Sequence, residues 1–146
     1  PLPEWSQRDV PCFRHFHRYP RGEAYDGLAA FRAPIEYGRS EMIYEEKDIA
    51  VLAVGSMVKT AEKVYAQLKL EGRFCTLVNA RFVKPVDEDM IRKLVHTHKL
   101  LVTMEENVES GGFGERVRTF ADDNGLSGFF PLLYRMSMWS MEMWIC

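Results

Sequence analysis

Asp48-Ile-Ala-Val-Leu-Ala-Val54, closed by Gly55-Ser56, is the stretch that decides the fold. Six apolar residues run without a polar break, as in a strand buried on both faces of a sheet. Ser56 stands where a helix cap belongs, and Val58, Ala61, Val64, Tyr65 and Leu68 then recur at helical spacing. Gly72 suits the left-handed residue that ends a helix. Downstream the pattern repeats: Phe74-Cys-Thr-Leu-Val78 is a second strand, and Lys99-Leu-Leu-Val-Thr-Met104 a third. Between them Arg81-Phe-Val-Lys-Pro85 is a loop, with Lys84 kept extended by Pro85. Asp87 caps a second helix carrying Met90, Ile91, Leu94 and Val95 on one face, and Glu88 and Asp89 lie at its positive end. A third helix holds Val117, Phe120 and Ala121 and stops at Asn124-Gly125. Strands at 49–54, 74–78 and 100–104 alternating with helices at 57–70, 87–96 and 114–123 predict neighbouring parallel strands. Upstream, Ile35, Tyr37, Met42, Ile43 and Tyr44 around Gly38 read as an edge hairpin or a linker.

The chain has 146 residues, the size of one domain or of a small domain with part of another. A net charge of −2 leaves no basic footprint for nucleic acid or for an anionic membrane. No apolar run approaches the ~18 residues of a membrane helix, and the start lacks a signal pattern. Cys12, Cys75 and Cys146 are odd in number and far apart, so neither a disulfide framework nor a zinc site is expected. A reducing cytoplasm is the default compartment for such a chain.

Four features carry possible chemistry. Glu105-Glu-Asn-Val-Glu-Ser-Gly-Gly-Phe-Gly114 puts glycines and bare amides at a helix start, a cradle for an anion. Its spacing is neither GxGxxG nor GxxxxGK[ST], and its acids repel phosphate, so it reads as a tight strand-to-helix connection. His15/His17 and His96/His98 are two apart; on a helix such residues do not share a face, and they read as surface histidines rather than a metal clamp. Cys75, within a strand, reads as buried and inert. Arg18-Tyr-Pro-Arg-Gly22 sets two guanidinium groups around a stiff turn, suited to a phosphate or carboxylate, though a solvated turn fits it as well.

Arg18-Tyr-Pro-Arg-Gly22, Asp48-Ile-Ala-Val-Leu-Ala-Val-Gly-Ser-Met57, Val78-Asn-Ala-Arg-Phe-Val-Lys-Pro85 and Val102-Thr-Met-Glu-Glu-Asn107 with Gly111-Gly-Phe-Gly114 together resemble 1-deoxy-D-xylulose-5-phosphate synthase in order and spacing. The resemblance covers residues 18–128. It implies a three-layer α/β domain of the transketolase carboxyl-terminal type, with a mostly parallel sheet and helices on both faces. Residues 1–44 are then a remnant of the pyrimidine-binding domain with a linker, 45–133 the transketolase-type domain, and 134–146 an aberrant tail. The family condenses pyruvate with glyceraldehyde 3-phosphate, with loss of carbon dioxide, using thiamine diphosphate and Mg2+, and works as a cytoplasmic homodimer in isoprenoid biosynthesis. The resemblance implies that Arg21 holds the phosphate of glyceraldehyde 3-phosphate. The family's Gly-Asp-Gly cofactor motif and its activating glutamate have no counterpart here, and Glu105 and Glu106 belong to a different loop. No cofactor is therefore expected on this chain, which is expected to be inactive alone. Transketolase, the β subunit of a 2-oxo acid dehydrogenase and a non-catalytic assembly module are the alternatives.

The tail departs from the family in a way that the genetic code explains. Residues 136–144 hold four of the eight methionines and two of the three tryptophans. Methionine and tryptophan have single codons, so the DNA beneath Tyr134-Arg-Met-Ser-Met-Trp-Ser-Met-Glu-Met-Trp-Ile-Cys146 is largely fixed. Read from the third base of each codon, Met138 into Trp139 gives valine, Met141 into Glu142 glycine, and Trp144 into Ile145 aspartate. The remaining codons permit Ile-Pro-Asp-Glu-Tyr-Val-Glu-His-Gly-Asn-Val-Asp, the string that a synthase carries here. The tail therefore reads as the product of a frameshift near residues 125–130.

Overall fold

A computed structural model describes residues 25, 27, 28, 30, 31, 34–106 and 110–126, with the backbone of 133–136. Its elements are β1 (Glu41–Tyr44), β2 (Ile49–Ala53), α1 (Met57–Leu70), β3 (Cys75–Asn79), α2 (Glu88–Thr97), β4 (Leu100–Met104), α3 (Phe113–Asp123) and β5 (Leu133–Met136). The sheet order is β1-β3-β2-β4-β5. Central β2 pairs in parallel with β3 from Ile49↔Cys75 to Ala53↔Asn79, and with β4 from Ile49↔Leu100 to Ala53↔Met104. The three strands expected as parallel neighbours are so arranged, and the three helices lie where their periodicity places them.

Two features were left open or unassigned by the sequence. No hairpin forms around Gly38. Residues 34–40 are irregular, and β1 alone joins the sheet, antiparallel to β3 with a bulge between Met42 and Tyr44. Within the tail that reads as altered by a frameshift, β5 extends the sheet in parallel with β4, Leu101 pairing with Leu133 and Met104 with Met136.

Alternation along the strands divides the core. Ala50, Leu52, Val78 and Leu101 face α2 and α3, whereas Val51, Ala53, Leu77 and Met104 face α1. Helices thus cover both faces. Helices α1 and α3 end alike. Gly72 (φ +72°) donates to Lys69 and Arg73 to Leu68; Gly125 (φ +66°) donates to Asp122 and Leu126 to Ala121. This double return satisfies the last carbonyls, and only the glycine conformation permits it cheaply.

Cys75 is buried, and desolvation pushes its thiol up to about 11. Stability tied to the neutral thiol is intact below its ordinary value and is lost as pH rises through about 11. Peptide mapping after alkylation at pH 8 should find Cys75 unmodified in the native chain; rapid modification would contradict its burial. On the α2–α3 face, the hydroxyl of fully buried Thr103 has no partner among the described residues. Thr103→Val keeps the shape and removes that cost, so denaturant titration should show stabilisation of about 1 kcal/mol.

Candidate functional site

Strand order reverses between β2 and β4: β2 leads through α1 to β3 on one side, and β3 leads through α2 to β4 on the other. In open α/β sheets ligands settle at the carboxyl ends of strands beside such a reversal. The loops that meet here are 54–56 and 105–112, joined where the Val54 amide donates to the Met104 carbonyl at 3.1 Å.

Glu105 directly follows β4 at this end of the sheet. It is 1% exposed, and its carboxylate accepts from the amides of Phe113 at 2.7 Å and Gly114 at 2.9 Å. The arrangement follows from the helix start. Burying the Phe113 ring contributes about 2 kcal/mol but carries its amide inside, where it needs an acceptor. Gly112, the cap residue, has no side chain to offer, so the acceptor comes from the end of β4. A carboxylate at the positive end of a helix is also favourably placed. Gly111 (φ +78°) closes the turn, its amide donating to Glu115. The anion that this glycine-rich start could have cradled is the chain's own, and the loop is the tight connection expected.

The other helix starts differ. Asp87 caps α2 as expected, accepting from the Met90 amide at 3.1 Å, with Glu88 and Asp89 in the first turn. Ser56 does not cap α1. The left-handed Gly55 (φ +63°) puts Ser56 at φ −61°, ψ −23°, already helical, whereas a capping side chain needs extended backbone.

His96 is exposed at the end of α2, in keeping with a surface histidine. His98 is half-buried instead, with Nε2 2.7 Å from Thr76 Oγ1 and Nδ1 2.8 Å from Thr97 Oγ1 and 3.2 Å from the Leu94 carbonyl. It knits the end of α2 to β3. Among the described residues no three His, Cys, Asp or Glu side chains gather as a metal site. His15, His17 and the whole Arg18–Gly22 motif, Arg21 included, lie outside the described residues.

Two hollows open on the carboxyl side of the sheet. One of about 470 Å³ lies between the Val83–Val86 loop and α3, with Lys84, Glu88, Glu115 and Arg116 giving it both signs of charge. The other, about 280 Å³, is bounded by Tyr25, Phe31, Ser56, Lys59 and Asn79, at the ends of β2 and β3. Tyr25 is held there by a hydroxyl contact to Glu62 and by Lys59 over its ring. No described helix is long and apolar enough to cross a membrane.

The role of Glu105 had no local signature. Its partners are eight and nine residues away, outside any capping pattern; the available signal was a strand-end acid followed by a glycine-rich helix start. Glu105→Ala orphans two buried amides and should lower unfolding free energy by about 3 kcal/mol, and Glu105→Gln, which keeps one acceptor, by about 2 kcal/mol. Denaturant midpoints indistinguishable from the parent would disprove that role.

Residues 38–139 match the family model of the transketolase carboxyl-terminal domain. Among curated proteins, the 1-deoxy-D-xylulose-5-phosphate synthase of Lachnoclostridium phytofermentans is 49% identical over 111 residues, 76% of this chain and 18% of the relative. That of Syntrophus aciditrophicus is 41% identical over 113 residues, 76% of this chain and 17% of the relative. This chain thus spans under a fifth of the length of these relatives. Among solved structures, a split-gene transketolase in an inactive β4 tetramer superposes with a TM-score of 0.65 at 24% identity, covering 72% of this chain and 34% of that one. The fold, the matched span and the order of the motifs agree, and the chain belongs to the transketolase carboxyl-terminal-domain family.

Proposed function

We propose that this chain is a carboxyl-terminal portion of a 1-deoxy-D-xylulose-5-phosphate synthase, a cytoplasmic homodimer that condenses pyruvate with glyceraldehyde 3-phosphate, and that alone it is catalytically silent. The observation that carries the reading is the 49% identity over 111 residues. In the complete enzyme, thiamine diphosphate with Mg2+ supplies the nucleophilic carbon. The described residues do not fit that group. The amides at the start of α3 are taken by Glu105, and no described acids converge on a metal position. What this chain brings to the reaction is Arg21, whose planar fork matches a phosphate and would hold the triose phosphate by its non-reacting end. Such a contact, worth about 2 kcal/mol, helps only when the reacting end is positioned by other groups.

Calorimetry of the purified chain with thiamine diphosphate and Mg2+ should show no micromolar binding, and a coupled assay no turnover. Micromolar binding, or turnover abolished by Arg21→Ala, would overturn the silent reading. A chimera of the L. phytofermentans synthase carrying the matching stretch of this chain should be active. There Arg21→Ala should raise KM for glyceraldehyde 3-phosphate by about 30-fold. An unchanged KM removes Arg21 from the phosphate site.

A further inference from the structure

Helices α2 and α3 are joined at the close of α3 through one asparagine. Asn124, the residue that ends α3, donates from Nδ2 to the Phe120 carbonyl at 2.9 Å, and its Oδ1 accepts from Arg92 Nη2 at 2.7 Å. The Arg92 guanidinium lies over the Phe120 ring, 4.9 Å from the centroid, and keeps a longer contact to Glu88 at 3.9 Å. The backbone here is held as well. The amide of Gly125 (φ +66°) donates to Asp122 at 3.1 Å, and that of buried Leu126 to Ala121 at 2.8 Å. Of the chain's three asparagines, Asn79 precedes Ala80 and Asn107 precedes Val108; Asn124 alone precedes a glycine.

That pairing carries a chemistry of its own. Gly125 has no Cβ to shield its amide nitrogen. Once that nitrogen has given its proton to solvent, it can attack Asn124 Cγ. The Cγ–Nδ2 bond breaks, Nδ2 takes a proton from water and leaves as ammonia, and a five-membered imide remains. Water then opens the imide at either carbonyl, giving aspartate or isoaspartate. Ring closure requires the Asn124 Cβ to eclipse the Gly125 nitrogen about the Cα–C bond, and at ψ 9° it is turned well away. The nucleophile's proton is engaged by Asp122, and both ends of the side-chain amide are tied. The guanidinium also polarises the Asn124 carbonyl, but polarisation speeds only an attack that the geometry allows.

We propose that Asn124 is a site of self-modification and that Arg92 is its lock. The imide forms only when the end of α3 opens, and the planar fork of Arg92 keeps it closed. Conversion then loosens the α2–α3 core. Isoaspartate adds a backbone methylene within the double return that seats Leu126, and aspartate sets a carboxylate at the negative end of α3.

Peptide mapping by mass spectrometry on the 146-residue chain, incubated at pH 8, follows the mass gained as amide becomes acid and resolves the isoaspartyl peptide. In guanidinium chloride Asn124 should convert about tenfold faster than Asn79 or Asn107. In the folded chain it should convert about 30-fold slower than in the denaturant. Arg92→Ala, at a partly exposed side chain, should recover about tenfold of that rate. Arg118→Ala removes a charge of the same sign from α3, where it pairs with Asp122, and should convert at the parent rate. Conversion of Asn124 no faster than Asn79 in denaturant overturns the site. Equal rates in folded and denatured parent, or an unchanged rate in Arg92→Ala, overturn the lock. Acceleration shared equally by Arg118→Ala overturns the specific role of Arg92.

Discussion

An ionised carboxylate taken out of water costs several kcal/mol unless donors replace the water, and Glu105 is almost wholly buried at the end of β4. The amides of Phe113 and Gly114 are the replacement, and they exist only because α3 begins where it does. The dependence is mutual. Without Glu105 the Phe113 amide would lie in the core unpaired, and the Phe113 ring could not close the layer between Leu101 and Val117 at the same cost. One pair of hydrogen bonds therefore joins strand β4, helix α3 and the α2–α3 core.

Other polar groups at the carboxyl edge serve joints within the chain. Asp87 caps α2 while holding Ser40; Arg81 holds Pro34 and Glu41; Asn79 holds the turn from which Arg81 reaches them. His98 does comparable work at the opposite end, tying the close of α2 to Thr76 of β3. None of these side chains is left pointing into open space as a free nucleophile or base.

How much of this was legible in the sequence depended on the range of the interaction. Ile49–Ala53 and its parallel neighbours were legible because a strand buried on both faces must be apolar throughout, and the helices because one face must repeat every three or four residues. Asp87 and Gly125 were legible because caps act over three or four positions. Ser56 misled because its neighbour Gly55 changes its backbone, an effect of conformation that residue type does not reveal. Glu105, Arg81 and His98 were illegible because each acts on a partner outside any local pattern, eight and nine residues away for Glu105, 40 and 47 for Arg81 to Glu41 and Pro34, and 22 for His98 to Thr76. The 34–40 segment read as a hairpin or linker because Ile35 and Tyr37 have strand character, yet both are exposed and make no ladder.

The four strings that carry the family resemblance sort by what the structure does with them. Asp48 to Met57 builds the central strand and the turn into α1. Val102 to Glu106 and Gly111 to Gly114 build β4 and the Glu105 joint. Val78 to Pro85 builds the end of β3 and the grip on residues 34–41. Apolar members make core, and polar members make joints between distant segments. Among the described residues of these three strings, Asn79, Arg81 and Glu105 thus have architectural duties. Arg18-Tyr-Pro-Arg-Gly22 lies outside the described residues and carries two guanidinium groups. In the synthase function proposed above, Arg21 is the member of that motif that would meet the substrate's phosphate.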